Sequence, residues 1–212
     1  MKTADLISAM VQDGATRRPS MGARMTIALA IGGAVAVALF AVGLGVRPDI
    51  GDAVQTSRFL LKLAVTATCF AFALWACVQL ARPDVNVRKV TAGLAIAPVL
   101  LALAVAYELA MISPDQWHAR AIGSNSRICL IAVPLLSIAP LVALLAALRV
   151  GAPRSPPIAG AVAGLLAGAL AALLYATHCV DDSPLFVALW YTPAIALMVL
   201  LGAVAGRRLL RW

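Results

Sequence analysis

The sequence predicts an all-α, polytopic membrane protein with six transmembrane helices. Hydrophobic residues make up 63% of the 212 residues and charged residues only 12%, which is more apolar surface than one soluble core of this size needs. Six apolar runs are long enough to cross about 30 Å of hydrocarbon as helices. These runs cover residues 27–46, 59–80, 90–111, 128–148, 158–177 and 185–205. The connections between them are too short for a soluble catalytic domain.

Basic residues are divided unevenly between the two sides of such a protein. With six spans, twelve of the 17 Lys and Arg residues fall on the side of the chain ends and five on the other side. The positive-inside rule therefore predicts that both termini are cytoplasmic. The first apolar run, of about 20 residues, is longer than the apolar part of a signal peptide, so we expect it to remain as a span. The basic residues form no single stripe, so the net charge of +8 does not indicate direct nucleic-acid binding.

We expect three units: an amino-terminal segment of residues 1–24, the helical domain 25–206 and a basic tail 207–212. The first unit contains a short amphipathic pattern whose apolar residues share one face of a helix. That face consists of Leu6, Ile7, Met10 and Val11, with Thr3 placed to cap the helix and Asp5 near its positive end. The pattern fits either an interfacial helix on the lipid headgroups or a helix that docks into a groove of a soluble cytoplasmic partner.

Spans four and five carry residues that indicate movement and close packing. Pro134 and Pro140 each remove a backbone donor, so we expect span four to contain a hinge. Gly160, Gly164 and Gly168 are spaced four residues apart and line one face of span five. Another backbone can approach that face closely, whether it belongs to span six, span four or a second copy of the chain.

The thiols and charged residues of spans two and three are expected mainly to pack or to reach the membrane interface. Cys69 and Cys77 are expected to be small packing residues. Lys62 lies within a turn of the outer boundary, so its ammonium is expected to extend outward to water. Glu108 near the outer end of span three either reaches the interface or pairs with a basic residue. The basic candidates are Lys62, Arg120 and Arg127.

The turn between spans five and six holds the densest group of polar residues. Residues 177–184 read T-H-C-V-D-D-S-P and contain no Lys or Arg. Ser183 is placed to cap span six, and Pro184 occupies its first helical position. Because this turn follows span five, it faces the outer side in the predicted topology.

Two thiols are predicted to lie at the same depth near the outer face, Cys129 at the start of span four and Cys179 in this turn. His178 is adjacent to Cys179, and His118 lies in the facing outer loop. Three interpretations remain open: a disulfide or redox pair, a soft metal site of Cys129, Cys179 and His178, or two unrelated thiols.

No motif of an enzyme is present in the sequence. It contains no C-x-x-C pair, Ser/His/Asp arrangement, phosphate loop or metalloprotease helix, so we do not expect an enzyme. The alternative function is a small transporter or membrane enzyme subunit that uses Glu108 and the outer thiols. The near absence of polar residues at mid-membrane depth argues against transport.

Along essentially its full length, the chain resembles the NrsF family of integral-membrane anti-sigma factors. These are negative regulators of sigma-F-type extracytoplasmic-function sigma factors in proteobacteria. The resemblance is carried by M-K-T-A-D-L-I at the start, R-P-D at 47–49, R-F at 58–59, Cys129, H-C at 178–179, D-S-P at 182–184, W-Y at 190–191, and G-R-R at 206–208 with Trp212. The H-C-x-x-D-S-P-x-F turn is the most specific of these motifs, and all its positions are present.

The resemblance implies a bacterial inner-membrane protein that holds its sigma factor inactive at the cytoplasmic face. It also implies that the outer cysteines, Cys129 and Cys179, take part in sensing oxidative or heavy-metal stress, with His178 and His118 as neighbouring candidates. The expected partners are the sigma factor, bound through the amino-terminal segment, and the lipid bilayer. No cofactor is expected apart from a transient heavy-metal ion, and the oligomeric state stays open.

Overall fold

The structure is a computed structural model that describes residues 20–81, 85–151 and 153–210. Within these ranges six helices are long and apolar enough to span a membrane, as the sequence predicts. They are α1 (Met21–Gly43), α2 (Ser57–Leu80), α3 (Val87–Met111), α4 (Ser126–Leu148), α5 (Pro156–Ala176) and α6 (Pro184–Leu209). The predicted sigma-binding residues of the amino-terminal segment lie outside the described residues. They are Thr3, Asp5, Leu6, Ile7, Met10 and Val11.

Two of the spans are less regular than an apolar run suggests. A tight turn separates Val87–Gly93 from Ile96–Met111 within α3. In α6, a single π-helical turn at Val187–Tyr191 precedes the regular helix Thr192–Leu209. Pro193 at the start of that helix has no N–H to donate to the preceding turn, which accounts for the wider turn at this point. The loop between α3 and α4 also forms a helix of its own, Pro114–Ile122. It lies at the end of the bundle opposite the start of α1 and the end of α6, which we call the outer end.

Helix α5 lies at the centre of the bundle and packs against α6, α2 and α4. Helix α1 packs mainly on α4, and α3 contacts α2 and the first turns of α6. The central position suits the composition of α5, which is built largely from Ala, Gly and Leu. In its most apolar stretch 67% of the residues are buried, compared with 17% for α3, so α3 is the peripheral helix.

The small-residue face of α5 packs against α6. A Cβ atom on Gly160 would lie 2.7 Å from the Cα atom of Gly206, and one on Gly164 would lie 2.8 Å from the carbonyl carbon of Met198. A Cβ atom on Gly168 would lie 3.3 Å from the Cγ2 atom of Ile195, which is a tight contact but less crowded than those at Gly160 and Gly164. The absence of side chains on α5 therefore lets two backbones touch, and α6 is the partner that the sequence left open.

The buried apolar side chains form two clusters at opposite ends of the bundle. One lies toward the chain termini and is centred on leucines of α4 and small residues of α5. The other lies beneath the α5–α6 turn and contains both Cys129 and Cys179, together with the rings of Tyr175, Phe186 and Tyr191. We refer to this second group as the thiol cluster.

Candidate functional site

The turn of residues 177–183 joins α5 to α6 and covers the thiol cluster. Three consecutive polar residues of this turn, Asp181, Asp182 and Ser183, bind side chains or backbone groups from three different helices. A seven-residue turn is thereby fixed to most of the outer end of the bundle. Its geometry depends on contacts that are distant in sequence.

Asp181 caps the amino-terminal end of α4. Its carboxylate accepts hydrogen bonds from the backbone N–H groups of Ser124, at 3.0 Å, and Asn125, at 2.9 Å. These N–H groups precede the first turn of α4, where a helix carries partial positive charge and has unpaired donors. The loop turns into α4 at Gly123, which has a left-handed φ of 58°. Any Cβ at Gly123 would collide with the Phe186 ring at 2.6 Å.

Asp182 pairs with two cations that come from other parts of the chain. Lys62 of α2 forms an ion pair with Asp182 Oδ1, and Arg47 of the α1–α2 loop binds Oδ2 at 2.9 Å. Both cations also donate to the backbone carbonyl of Cys179, Lys62 at 2.7 Å and Arg47 at 3.3 Å. The Asp182 carboxylate, in a turn without basic residues, is therefore neutralised from α2 and from the first outer loop.

Lys62 is a buried charge, so the expectation that it extends outward to water is wrong. The residue is only 2% exposed, and its ammonium lies 5.2 Å from the centroid of the Phe59 ring. An ammonium inside the bundle is tolerated because an ion pair, a carbonyl and an aromatic face replace its hydration. Two of these partners, Asp182 and the Cys179 carbonyl, lie more than 100 residues away in sequence, so helix periodicity alone gives no indication of them.

Arg47 links the first outer loop to the turn. Besides Asp182, its guanidinium makes a two-point contact with Asp49, from Nε to Oδ1 at 2.8 Å and from Nη2 to Oδ2 at 2.7 Å. This contact lowers the pKa of Asp49 to about 2. The carboxylate is thus ionised throughout the physiological range and keeps Arg47 oriented toward the turn. Two residues of the R-P-D motif at 47–49 therefore take part in fixing the turn.

Ser183 connects the turn to α3. Its hydroxyl accepts from the N–H of Leu185, as expected of the N-cap of α6, and donates to Glu108 Oε2 at 2.6 Å. Glu108 is only 4% exposed, so the interpretation that it simply reaches the interface is wrong. Of the predicted basic partners, Arg120 lies 3.6 Å from Glu108 Oε1. Arg58, which was not among the predicted partners, lies at the same distance. Lys62 instead pairs with Asp182.

Cys129 and Cys179 are both fully buried free thiols. Cys129 lies in the first turn of α4, and Cys179 lies in the turn that Asp181 fastens to that helix end. The Cys179 Sγ atom is 3.8 Å from the carbonyl oxygen of Asp181, within range of a weak S–H donor. Burial raises the pKa of the Cys179 thiol above its ordinary value, and the Lys62 charge offsets only part of this effect.

The histidines do not join the thiols in a metal site. His178 is half-buried, and its Nδ1 atom lies 2.9 Å from the carbonyl oxygen of Gly45, so this contact holds the ring toward the end of α1. His118 lies exposed on the helix Pro114–Ile122. Over residues 20–81, 85–151 and 153–210, no three His, Cys, Asp or Glu side chains are grouped so that they could hold a metal ion. The predicted set of Cys129, Cys179 and His178 is therefore not assembled in this structure.

The prolines and the other two cysteines singled out from the sequence lie within helices α4 and α2, away from the turn. Pro134 and Pro140 lie inside α4, which continues as a helix through both. Pro140 packs directly on Gly32 of α1, where a Cβ would lie 2.6 Å from the Pro140 Cα atom. Cys77 is buried in the cluster toward the chain termini, and Cys69 is partly buried.

Most of the polar contacts around the turn were not predicted from the sequence. We call these contacts the polar ring; its members are Arg47, Lys62, Glu108, Asp181, Asp182 and Ser183. One signal was available: residues 177–184 contain two carboxylates and no cation, whereas α2 contains one lysine in an apolar span. Charges that enter a membrane-facing bundle are usually paired with one another. Pairing Lys62 with an aspartate of the turn would have followed from this rule, although the choice between Asp181 and Asp182 would not.

Comparisons with known proteins agree on one family. Residues 11–212 match the family model described as NrsF, negative regulator of sigma F. The chain is 33% identical over 214 residues to the probable anti-sigma-F factor NrsF of Azospira oryzae, with all of both chains covered. It is 34% identical over 218 residues to the anti-sigma-F factor NrsF of Caulobacter vibrioides, again over the full length of both. No solved structure matches the chain.

The relatives carry the names of regulators, which agrees with the expectation that the chain is not an enzyme. The family match covers all of the described residues, including the ring of contacts around the α5–α6 turn. Both relatives also match the chain along their entire lengths. The chain belongs to the NrsF family of negative regulators of sigma F.

Proposed function

We propose that this chain is an anti-sigma factor of the bacterial inner membrane. It sequesters a sigma-F-type extracytoplasmic-function sigma factor at the cytoplasmic face and releases it under oxidative or heavy-metal stress. The proposal rests on family membership for the regulatory role and on the thiol cluster for the sensor. Cys129 and Cys179 are the sensing residues, and any metal ion involved is the sensed species rather than a resident cofactor.

The charge distribution supports an orientation with both chain ends in the cytoplasm. The twelve basic residues on the side of the termini favour the cytoplasmic side, where anionic headgroups also attract them. The α5–α6 turn then faces the periplasm, a compartment in which thiols can be oxidised. The protein thus binds the sigma factor on one side of the membrane and senses the stress on the other.

One observation carries the sensor proposal: the two thiols lie in one buried cluster beneath a turn that is fixed to several helices. Cys129 belongs to α4, and Cys179 belongs to the turn that Asp181 and Asp182 fasten to α4 and α2. A chemical change at the sulfur atoms must therefore act on contacts between helices. Cys77, by contrast, lies among the apolar side chains of the cluster toward the chain termini.

The switch itself is a reaction of both thiols. Oxidation to a disulfide forms the S–S bond, releases two protons and passes two electrons to the oxidant. Capture of a soft metal ion instead replaces the two thiol protons by metal–sulfur bonds. Either reaction moves the turn against α4, and Pro134 and Pro140 are the proposed hinge within α4. A tenfold loss of sigma affinity requires only about 1.4 kcal/mol of difference between the two states.

The amino-terminal segment is the proposed docking element for the sigma factor. Its predicted apolar face suits the helix-in-groove mode of recognition. Met21, the first residue of α1, packs near Gly151, just beyond the end of α4, so α1 begins beside that end of the proposed hinge helix. Movement of α4 can thereby reach the docking element without a long relay.

Co-purification tests the regulatory role. We expect the solubilised chain to retain the sigma factor and to lose it when residues 2–13 are deleted. The pair Leu6→Asp and Met10→Asp should have the same effect, whereas Ser8→Asp on the opposite predicted face should not. Retention of the sigma factor by the deletion variant would contradict the proposed docking element. A chain that never retains the sigma factor would contradict the anti-sigma role.

Replacement of the thiols tests the sensor. The double variant Cys129→Ser and Cys179→Ser should still retain the sigma factor but should no longer release it under oxidant or soft-metal stress. The matched control is the double variant Cys69→Ser and Cys77→Ser in α2, which should respond as the wild type does. Normal induction in the first variant would show that Cys129 and Cys179 are bystanders.

A further inference from the structure

Lys62 is the cation that holds the Cys179 turn to a membrane-spanning helix. Its side chain is fully enclosed, and it forms an ion pair with Asp182 and a 2.7 Å hydrogen bond to the Cys179 carbonyl oxygen. Burying an ammonium is unfavourable unless its partners replace water, so these contacts must persist while the resting structure persists.

The carbonyl that Lys62 holds belongs to the proposed sensing residue itself. Only the carbonyl carbon, Cα and Cβ separate that oxygen from the Cys179 sulfur. A reaction at sulfur that displaces the Cys179 backbone, and does not merely rotate the side chain about its Cα–Cβ bond, also moves this carbonyl. The hydrogen bond to Lys62 is thus the contact through which such a displacement would reach α2.

Lys62 differs from the second cation at this carbonyl. Arg47 reaches the same oxygen at a longer distance, 3.3 Å, and belongs to the loop after α1. Lys62 belongs to α2, a continuous helix from Ser57 to Leu80 that crosses the membrane and packs along α5. A continuous helix is the kind of rigid element that can carry a local displacement from one membrane face to the other.

We propose that Lys62 is a positioning residue of the switch, because it holds the Cys179 turn on α2 in the sigma-retaining state. Modification of Cys179 acts by breaking the ion pair to Asp182 and the hydrogen bond to the Cys179 carbonyl. The proposal rests on the proposed function of the thiols and names the helix that receives the signal. Sigma release then follows from the separation of the turn from α2, in addition to any movement of α4.

The sign of the effect follows from this assignment. Because the loss of these Lys62 contacts is the signal, removing the Lys62 ammonium should have the same effect as stress. Lys62→Met keeps the length of the side chain and removes its charge. We expect sigma-dependent transcription to rise at least about tenfold without stress, within the usual range of allosteric coupling, while Cys129 and Cys179 stay reduced.

Three further variants make the test specific. Lys62→Arg keeps a cation opposite Asp182 and should remain repressed and inducible. Asp182→Asn removes the partner charge with little change in volume and should be active without stress, as Lys62→Met is. Arg127→Met removes an exposed cation at the same face, near the start of α4, and should behave as the wild type.

The readouts are reporter transcription, the amount of sigma factor retained per molecule of solubilised chain, and the thiol content of Cys129 and Cys179. If Lys62→Met does not accumulate in the membrane, Asp182→Asn carries the same test. The proposal is overturned if Lys62→Met or Asp182→Asn keeps transcription repressed in the absence of stress. It is also overturned if these variants are active only when Cys129 and Cys179 are modified, or if Arg127→Met activates transcription to the same extent.

The outcome separates this inference from the proposed function. If the Cys129 and Cys179 double variant is blocked but Lys62→Met stays repressed, the thiols are sensors and the route through Lys62 is wrong. If the cysteine double variant responds normally, the sensor proposal fails regardless of Lys62.

Discussion

Asp181 and Asp182 are neighbours in the chain, yet their carboxylates bind different helices. Asp181 accepts backbone hydrogen bonds at the start of α4, and Asp182 pairs with Lys62 on α2. The peptide unit between them therefore bridges two helices that make no extensive contact with each other. In the proposed switch, this is the arrangement through which a change at the Cys179 sulfur acts on α4 and α2 together.

Removing the Asp181 carboxylate should destabilise the outer end of α4. Asp181→Ala leaves the N–H groups of Ser124 and Asn125 without their acceptor and removes a negative charge from a helix start. We expect a loss of about 1 to 2 kcal/mol in the free energy of unfolding, the usual cost of losing such a cap. Thermal unfolding in detergent measures the effect.

The control for this experiment is Asp52→Ala, an exposed aspartate in the first outer loop. Its replacement should leave the unfolding midpoint nearly unchanged. Equal midpoints for the two variants would mean that Asp181 does not fasten the turn to α4.

Ser183 and Ser113 offer a matched pair, because each precedes a proline at the start of a helix. Ser183 donates to the buried Glu108 at 2.6 Å, whereas Ser113 makes no side-chain capping bond. Ser183→Ala should cost about 1 to 3 kcal/mol, the range for leaving a buried polar group short of a partner. Ser113→Ala should cost almost nothing in the same unfolding assay, and a similar cost for both would contradict the role of Ser183 in holding α3.

Backbone contact between α5 and α6 predicts that even a methyl group is harmful at Gly164. A Cβ there would collide with backbone atoms of Met198 and Val199, which cannot move aside as a side chain would. Gly164→Ala should lower the free energy of unfolding by about 1 to 3 kcal/mol or more, as overpacking does. Gly51→Ala, where no atom lies within 4 Å, is the control. Unchanged unfolding of the Gly164 variant would rule out the close approach.

The reactivity of Cys179 should depend on pH in a defined direction. Burial raises its pKa above the value of about 8.5 found in an unfolded chain. Only the thiolate is nucleophilic, so alkylation of the native protein should accelerate at a higher pH than that of the denatured protein. Mass spectrometry of the Cys179 peptide gives both profiles, and a native midpoint at or below the denatured one would contradict the buried environment.

The same shift affects stability with a definite sign. The native state binds the thiol proton more tightly than the unfolded chain does. Its contribution to the free energy of unfolding is therefore complete below about pH 8.5 and is lost as the pH rises through the native pKa. We expect the unfolding midpoint to fall over this alkaline range in the wild type and to fall less in Cys179→Ser.

The six spans were predictable because membrane helices need long apolar runs, and Ser183-Pro184 was predictable because capping chemistry is local. The break within α3 and the π turn before Pro193 were not predicted, since both add backbone irregularity without lowering the apolar character of the run.

The polar ring of the site was the part that sequence patterns could not supply. Lys62 and Glu108 each lie near the outer end of a span, where contact with water is the simplest expectation. Both are buried against Asp182 and Ser183, residues that are distant from them in the sequence. Helix periodicity describes which residues share a face, but it contains no information on which turn covers the end of another helix.

The central claim is that Cys129 and Cys179 react as the sigma factor is released. The most direct measurement is differential alkylation: thiols are quenched with acid before and after stress, labelled in denaturant and quantified residue by residue, while sigma retention is measured in the same samples. The account predicts that Cys129 and Cys179 lose free thiol in step with sigma release, whereas Cys69 and Cys77 in α2 stay reduced. Release of the sigma factor with all four thiols still free would contradict it.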